Sequence, residues 1–128
     1  LVQEVSTVED AISVARLAAD AIADKKGQDV VLLEVTELIG ITDVFVIATG
    51  TSRPHVQTLA ERIEEWLREV GRRPFQEEGL AEAEWALLDY GDVVVHLFQP
   101  GARSYYSLER LWRDAPRIEW EPAVSEAT

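Results

Sequence analysis

The chain contains no cysteine and no methionine. Without thiols it forms no disulfide, offers no thiolate nucleophile and builds no thiolate metal site. That fits a reducing compartment, and a cytoplasmic location is expected. Histidine is nearly absent as well. His55 and His96 are the only two, and they lack the His-x-x-x-His spacing of a helical metal pair. No metal or cofactor is expected. Basic residues are in the minority, 12 Lys+Arg against 24 Asp+Glu, for a net charge of −12. Such a chain lacks the basic footprint of a free-standing nucleic-acid binder and is repelled by an anionic membrane. It favours a basic partner. Long hydrophobic runs are missing too. The longest, Val44 to Ala48, is far short of the ~18–20 residues that span a bilayer. The N-terminus shows no basic segment followed by an apolar stretch, so no signal peptide is expected.

What is present is 47% hydrophobic residues in 128 positions. That is enough for one domain burying about two-thirds of its unfolded surface. Ser6-Thr7-Val8-Glu9 reads as a capping box. Behind it Ala11, Ile12, Ala15, Ala18, Ala19 and Ile22 recur at helical spacing, predicting a helix to about Asp24 with Gly27 as its stop. Val30–Val35 reads as a strand. Val44–Thr49 is nearly continuous in apolar residues, which predicts a strand covered on both faces. Ser52 is placed to cap a following helix with Pro54 in its first turn. On that helix Val56, Leu59, Ala60, Ile63, Leu67 and Val70 share one face, and Gly71 ends it. A connection follows, with a short strand at Pro74–Phe75. Glu84–Asp89 and Asp92–Phe98 read as a hairpin closed around Tyr90-Gly91. Pro100-Gly101 breaks the chain, and Arg103–Arg113 is a last helix. Residues 1–114 thus form a single α/β domain, a mixed β-sheet packed by helices. Residues 115–128 are expected to form an extended or partly disordered tail that Trp120 pins to the body.

Gly50-Thr51-Ser52, between a strand and a helix, is the best position for an anion-binding loop. It lacks the Gly-Lys-Ser/Thr of a P-loop. It resembles the Gly-Ser that opens a helix in nucleotidyltransferases. Yet the Asp-x-Asp pair that holds Mg²⁺ in those enzymes is missing, and a helix carrying Glu61, Glu64 and Glu65 stands there instead. The ordinary reading is an N-cap, and an enzyme using this loop is the competing hypothesis. His96, inside a valine strand, reads as a hydrogen-bonded, half-buried residue. Glu77-Glu78 and Glu119 with Glu121 read as solvated surface.

A two-residue turn at Tyr90-Gly91 places Asp89 opposite Asp92, Leu87 opposite Val94 and Trp85 opposite His96. One sheet face then carries Ala86, Leu88, Val93, Val95 and Leu97, a plain core. The other carries Trp85, Leu87, Asp89, Asp92, Val94 and His96, a mixture that suits docking. A bulge at Gly91 would instead pair Leu88 with Asp92 and send Trp85 to the core side.

Three segments together resemble the ribosomal silencing factor family, also called RsfS or Iojap. They are Lys26–Val35, then Thr42–Ser52 with His55-Val56, then Glu78-Gly79 with Trp85–Asp89, Gly91–Phe98, Arg103, Tyr106 and Leu108–Trp112. The resemblance covers residues 8 to 113. It implies a nucleotidyltransferase-like fold without the catalytic carboxylates. It also implies a partner, the large-subunit ribosomal protein uL-fourteen, and no enzymatic activity. Binding there blocks association with the small subunit and represses translation under nutrient limitation. The free protein is implied to be a homodimer. The family pattern points to Trp85, Asp89 and Asp92 as contacts, with Glu78, Arg103 and Tyr106 beside them. Glu34 stands where Asp is usual, and Pro54 replaces a commonly basic residue. Gly101 replaces a Glu often found before the Arg, which puts a salt bridge there in doubt.

Overall fold

The computed structural model describes residues 7–122. The elements in order are α1 (Val8–Asp24), β1 (Gln28–Glu34), α2 (Thr36–Ile39), β2 (Val44–Thr49) and α3 (Arg53–Glu69). Then come β3 (Gln76–Glu78), β4 (Trp85–Asp89), β5 (Val93–Phe98), α4 (Pro100–Tyr106) and α5 (Leu108–Leu111). The strands form one mixed sheet in the order β1-β2-β5-β4-β3, parallel between β2 and β5 and antiparallel elsewhere. This is the α/β class expected from the sequence. Every residue of β2 is buried, as its unbroken apolar run requires of a strand covered on both sides.

The two long helices cover one face of the sheet. The alanines Ala11, Ala15, Ala18 and Ala19 are fully buried, and their small side chains bring α1 close to the sheet and to α3. Val56, Leu59, Ile63 and Leu67 are fully buried from α3. They join Leu88, Val93, Val95 and Leu97 in the main core. Arg62 reaches Asp24 at 3.4 Å and ties the two helices together at their surface.

Several local expectations shift. The capping box is built by Thr7 and Asp10, one residue later than the Ser6–Glu9 reading; Ser6 lies outside the described residues. Thr7 Oγ1 accepts from the Asp10 amide and the Asp10 carboxylate accepts from the Thr7 amide. Ser52 caps α3 as expected, accepting the His55 amide at 3.2 Å. The short strand is Gln76–Glu78 rather than Pro74–Phe75, because Pro74 has no amide for a ladder. Pro100 opens α4 instead of breaking the chain; the first turn leaves amides unpaired, so a proline fits there. The single helix expected at Arg103–Arg113 is divided at Ser107, whose φ of 50° ends α4 and starts α5.

The hairpin also moves. Asp89 pairs with Val94, Leu87 with His96 and Trp85 with Phe98. Tyr90 donates its amide to the Val93 carbonyl at 2.8 Å, so Gly91-Asp92 forms the turn, not Tyr90-Gly91. The φ of +90° at Gly91 suits the first turn position. Sliding the turn by one residue moves each partner by two, so the faces stay as expected. Only Asp92 leaves its face and joins the turn.

Beyond α5 the chain runs along the outer edge of β1. The Glu34 amide donates to the Pro116 carbonyl at 2.8 Å, and the Ile118 amide donates to the Leu32 carbonyl at 2.9 Å. Trp120 donates its indole N–H to Asp20 at 2.9 Å. The end of the predicted tail, 123–128, lies outside the described residues.

Candidate functional site

The second face of the sheet has only short helices against it. Leu33, Val35, Phe45, Ile47 and Phe98 form a smaller core there with Leu108 and Ala115. Trp85, Leu87 and Val94 are only half-buried. Around them Ile41 is 86% exposed, Phe75 80% and Tyr106 47%. Ile41 and Phe75 flank an open groove of about 370 Å³ floored by Phe45, Leu87, Val94 and His96.

The predicted contact residues divide into three groups. Trp85 and Tyr106 meet at one end of this face, with ring centroids 4.6 Å apart. Trp85 also lies over Phe98 at 5.1 Å. Close approach of the chain shapes this end. Gly79 has φ +77°, and a Cβ there would sit 2.2 Å from the Trp85 carbonyl oxygen, so only glycine lets the 79–85 loop pass. Arg103 belongs to the same end. It donates to Thr49 Oγ1 at 2.7 Å and to Glu109 at 2.5 and 3.1 Å. Glu109 thus supplies the carboxylate that Gly101 does not. Burial alone would raise the Glu109 carboxyl, but Arg103 outweighs it and holds it below the ordinary range.

Asp89 and Glu78 stand at the other end. Gln76 pairs with Asp89 and Glu78 with Leu87 across β3 and β4, which places both carboxylates on the open face. Asp89 accepts the Gly91 amide at 2.8 Å. Asp92 is separate. Its carboxylate meets Arg72 at 2.5 Å with 11% of the side chain exposed, and its carbonyl accepts from Asp43 and Val44. It holds the turn against β2 and does not flank Trp85.

His96 is 5% exposed, more deeply buried than the half-buried residue expected. Its Nδ1 accepts the Trp85 indole N–H at 3.1 Å. Burial lowers its pKa to about 4, so the ring is neutral near pH 7.

The Gly50-Thr51-Ser52 loop is closed by His55, a role the sequence reading missed. His55 Nδ1 accepts from the Thr51 amide at 2.8 Å, so Nε2 carries the proton and donates to the Lys25 carbonyl at 2.8 Å. Gly50 donates to Phe98 and Val56 to Ser52. The amides an anion would seek at this helix start are therefore largely engaged within the fold. Among the described residues, no group of three or more His, Asp or Glu side chains is arranged to hold a metal ion. Glu77 is exposed, as expected, and stands on the α3 side of the sheet because its partner Leu88 belongs to the main core. Burial, and then a hydrogen bond to Glu77, push the Glu64 carboxyl up to about 7.

Known proteins resemble this chain in sequence and in fold. The family model described as ribosomal silencing factor during starvation matches residues 8–128, so the match runs past residue 113 into the tail. A ribosomal silencing factor from Halalkalibacterium halodurans is 42% identical over 110 residues, 86% of this chain and 94% of that protein. One from Bacillus subtilis is 42% identical over 114 residues, 89% of this chain and 97% of that one. A crystal structure of a Chromobacterium violaceum protein superposes with a TM-score of 0.78 at 35% identity, covering 90% of this chain and 93% of that one. On this evidence of sequence and fold, the chain belongs to the ribosomal silencing factor family.

Proposed function

We propose that the chain binds the large ribosomal subunit through its open sheet face and represses translation by occupying the surface that the small subunit needs. The observation that carries this is the asymmetry of the sheet. One face is sealed by two long helices, while the other presents Trp85, Tyr106, Leu87 and Val94 half-covered beside the carboxylates of Asp89 and Glu78. A desolvated aromatic anchor with a charged rim is the usual composition of a binding hot spot. The net charge of −12 suits a basic ribosomal protein, and the partner we propose is uL-fourteen. The action is steric and requires no chemistry. The same face joins two copies in the free protein, so self-association and ribosome binding compete. We place this activity in the cytoplasm.

The test is binding to isolated large subunits at two or three ionic strengths, with circular dichroism confirming that each variant is folded. Trp85→Ala is expected to raise the off-rate, a loss of ~2 kcal/mol or more. Asp89→Lys is expected to lower the on-rate and flatten its salt dependence. Folded variants that both bind like the parent would place the interface elsewhere.

A further inference from the structure

We propose that His96 is a positioning residue: its Nδ1 accepts the Trp85 indole N–H and fixes the ring in the orientation that meets the partner. This rests on the reading of Trp85 as the anchor. The argument begins with what His96 does poorly. Around it β5 is Val93, Val94, Val95, Leu97 and Phe98, a run that packs well with no polar group. At 5% exposure a histidine there must satisfy two ring nitrogens. It satisfies one. Nδ1 accepts from Trp85 at 3.1 Å, which leaves the proton on Nε2, and that nitrogen is buried with no hydrogen-bond partner among the described residues. A buried unpaired donor destabilises a fold, so packing alone favours an apolar side chain at this position.

What His96 does well is directional. Trp85 lies over Phe98 with the ring planes 29° apart and against Tyr106 with the planes 46° apart. Such contacts hold the plane of an indole but not which edge points where. Among the described residues, the bond from Nε1 to His96 is the indole's one hydrogen bond, and it selects a single edge. Leu87 stands directly across from His96, so the imidazole reaches Trp85 diagonally along β4, within range for a large side chain. Phe45 meets the imidazole edge-on, with centroids 4.6 Å apart, and keeps that ring from turning. Burial keeps the ring unprotonated near pH 7, so the acceptor persists at the pH of binding. An indole already ordered loses less freedom on association.

The experiment combines the indole ¹⁵N–¹H resonance of Trp85, assigned with Trp85→Phe, with binding to isolated large subunits. His96→Phe keeps a buried ring and removes the acceptor. His96→Asn keeps an acceptor where Nδ1 stands. In His96→Phe the Trp85 N–H signal is expected to move and exchange faster, and binding to weaken about two- to tenfold, the range of one net hydrogen bond. His96→Asn is expected to recover both toward the parent. An unmoved indole signal in His96→Phe overturns the proposal. So does parent-like binding by His96→Phe when Trp85→Ala binds weakly. If Trp85→Ala itself binds like the parent, the anchor reading fails, and the binding role of His96 falls with it even if the indole signal moves.

Discussion

The two faces of this sheet are built from the same strands and end differently. On one, α1 and α3 each run 17 residues with a continuous apolar stripe, and Leu88, Val93, Val95 and Leu97 beneath them are fully buried. On the other, α2 and α5 are 4 residues each and α4 is 7. Such short elements cover the rim but not the middle, so Leu87 and Val94 remain half-exposed. At ~25 cal/mol per Å² an uncovered apolar surface is costly to leave in water. On the proposed function, sealing one face and leaving the other partly open separates stability from recognition, and the separation can be broken by substitution.

The largest expected effect is on the sealed face. Leu88→Ala should destabilise the fold by about 2–5 kcal/mol in urea titration, with binding per folded molecule unchanged. Gly79→Ala should come next at about 1–3 kcal/mol, because the added Cβ meets the Trp85 carbonyl at a positive φ. That variant damages both properties, since the loop it strains leads into Trp85. Arg103→Ala should lose about 2 kcal/mol, as it releases α4 from Thr49 and leaves Glu109 without its cation. Leu87→Ser on the open face should change the urea midpoint by less than about 1 kcal/mol. Its effect should appear instead in large-subunit binding. Equal losses of stability from Leu88→Ala and Leu87→Ser would end the distinction between the faces.

The two faces should also differ in their response to pH. Glu64, beneath the sealed face, is raised from 4.5 to about 7, by burial first and by Glu77 second. Its folded form therefore holds a proton that the unfolded chain releases. The stability linked to it is fully present below about 4.5 and is lost as pH rises through 7. Glu109, beside α4, is lowered because Arg103 outweighs burial. Its contribution is present above 4.5 and is lost as pH falls through the depressed value. Unfolding midpoints across this range should thus lose their alkaline slope in Glu64→Gln and part of their acid slope in Glu109→Gln.

Much of this was legible in local residues. The helical spacing of alanines in α1, the apolar stripe of α3 and the unbroken run of β2 each require only neighbours in sequence, and all three stand where the periodicity puts them. Period-two alternation in β4 and β5 likewise assigned Trp85, Leu87 and Asp89 to one face, and it survived a wrong turn because a two-residue shift preserves parity. The family is legible in the motifs of Lys26–Val35, Thr42–Ser52 and Gly91–Phe98. Other features depend on residues distant in the chain. Asp92 turns inward because Arg72, 20 residues away, waits for it. Arg103 finds Glu109 and Thr49 only when α4 folds back on β2. The hydrogen bond from Trp85 to His96 and the meeting of Glu64 with Glu77 exist only because strand pairing and helix packing bring those side chains together. Sequence alone determined which elements form and which of their faces are apolar, because periodicity is a short-range property. The tertiary structure alone decided which face is sealed, which carboxylates are paired and what holds Trp85, because those are contacts across the chain.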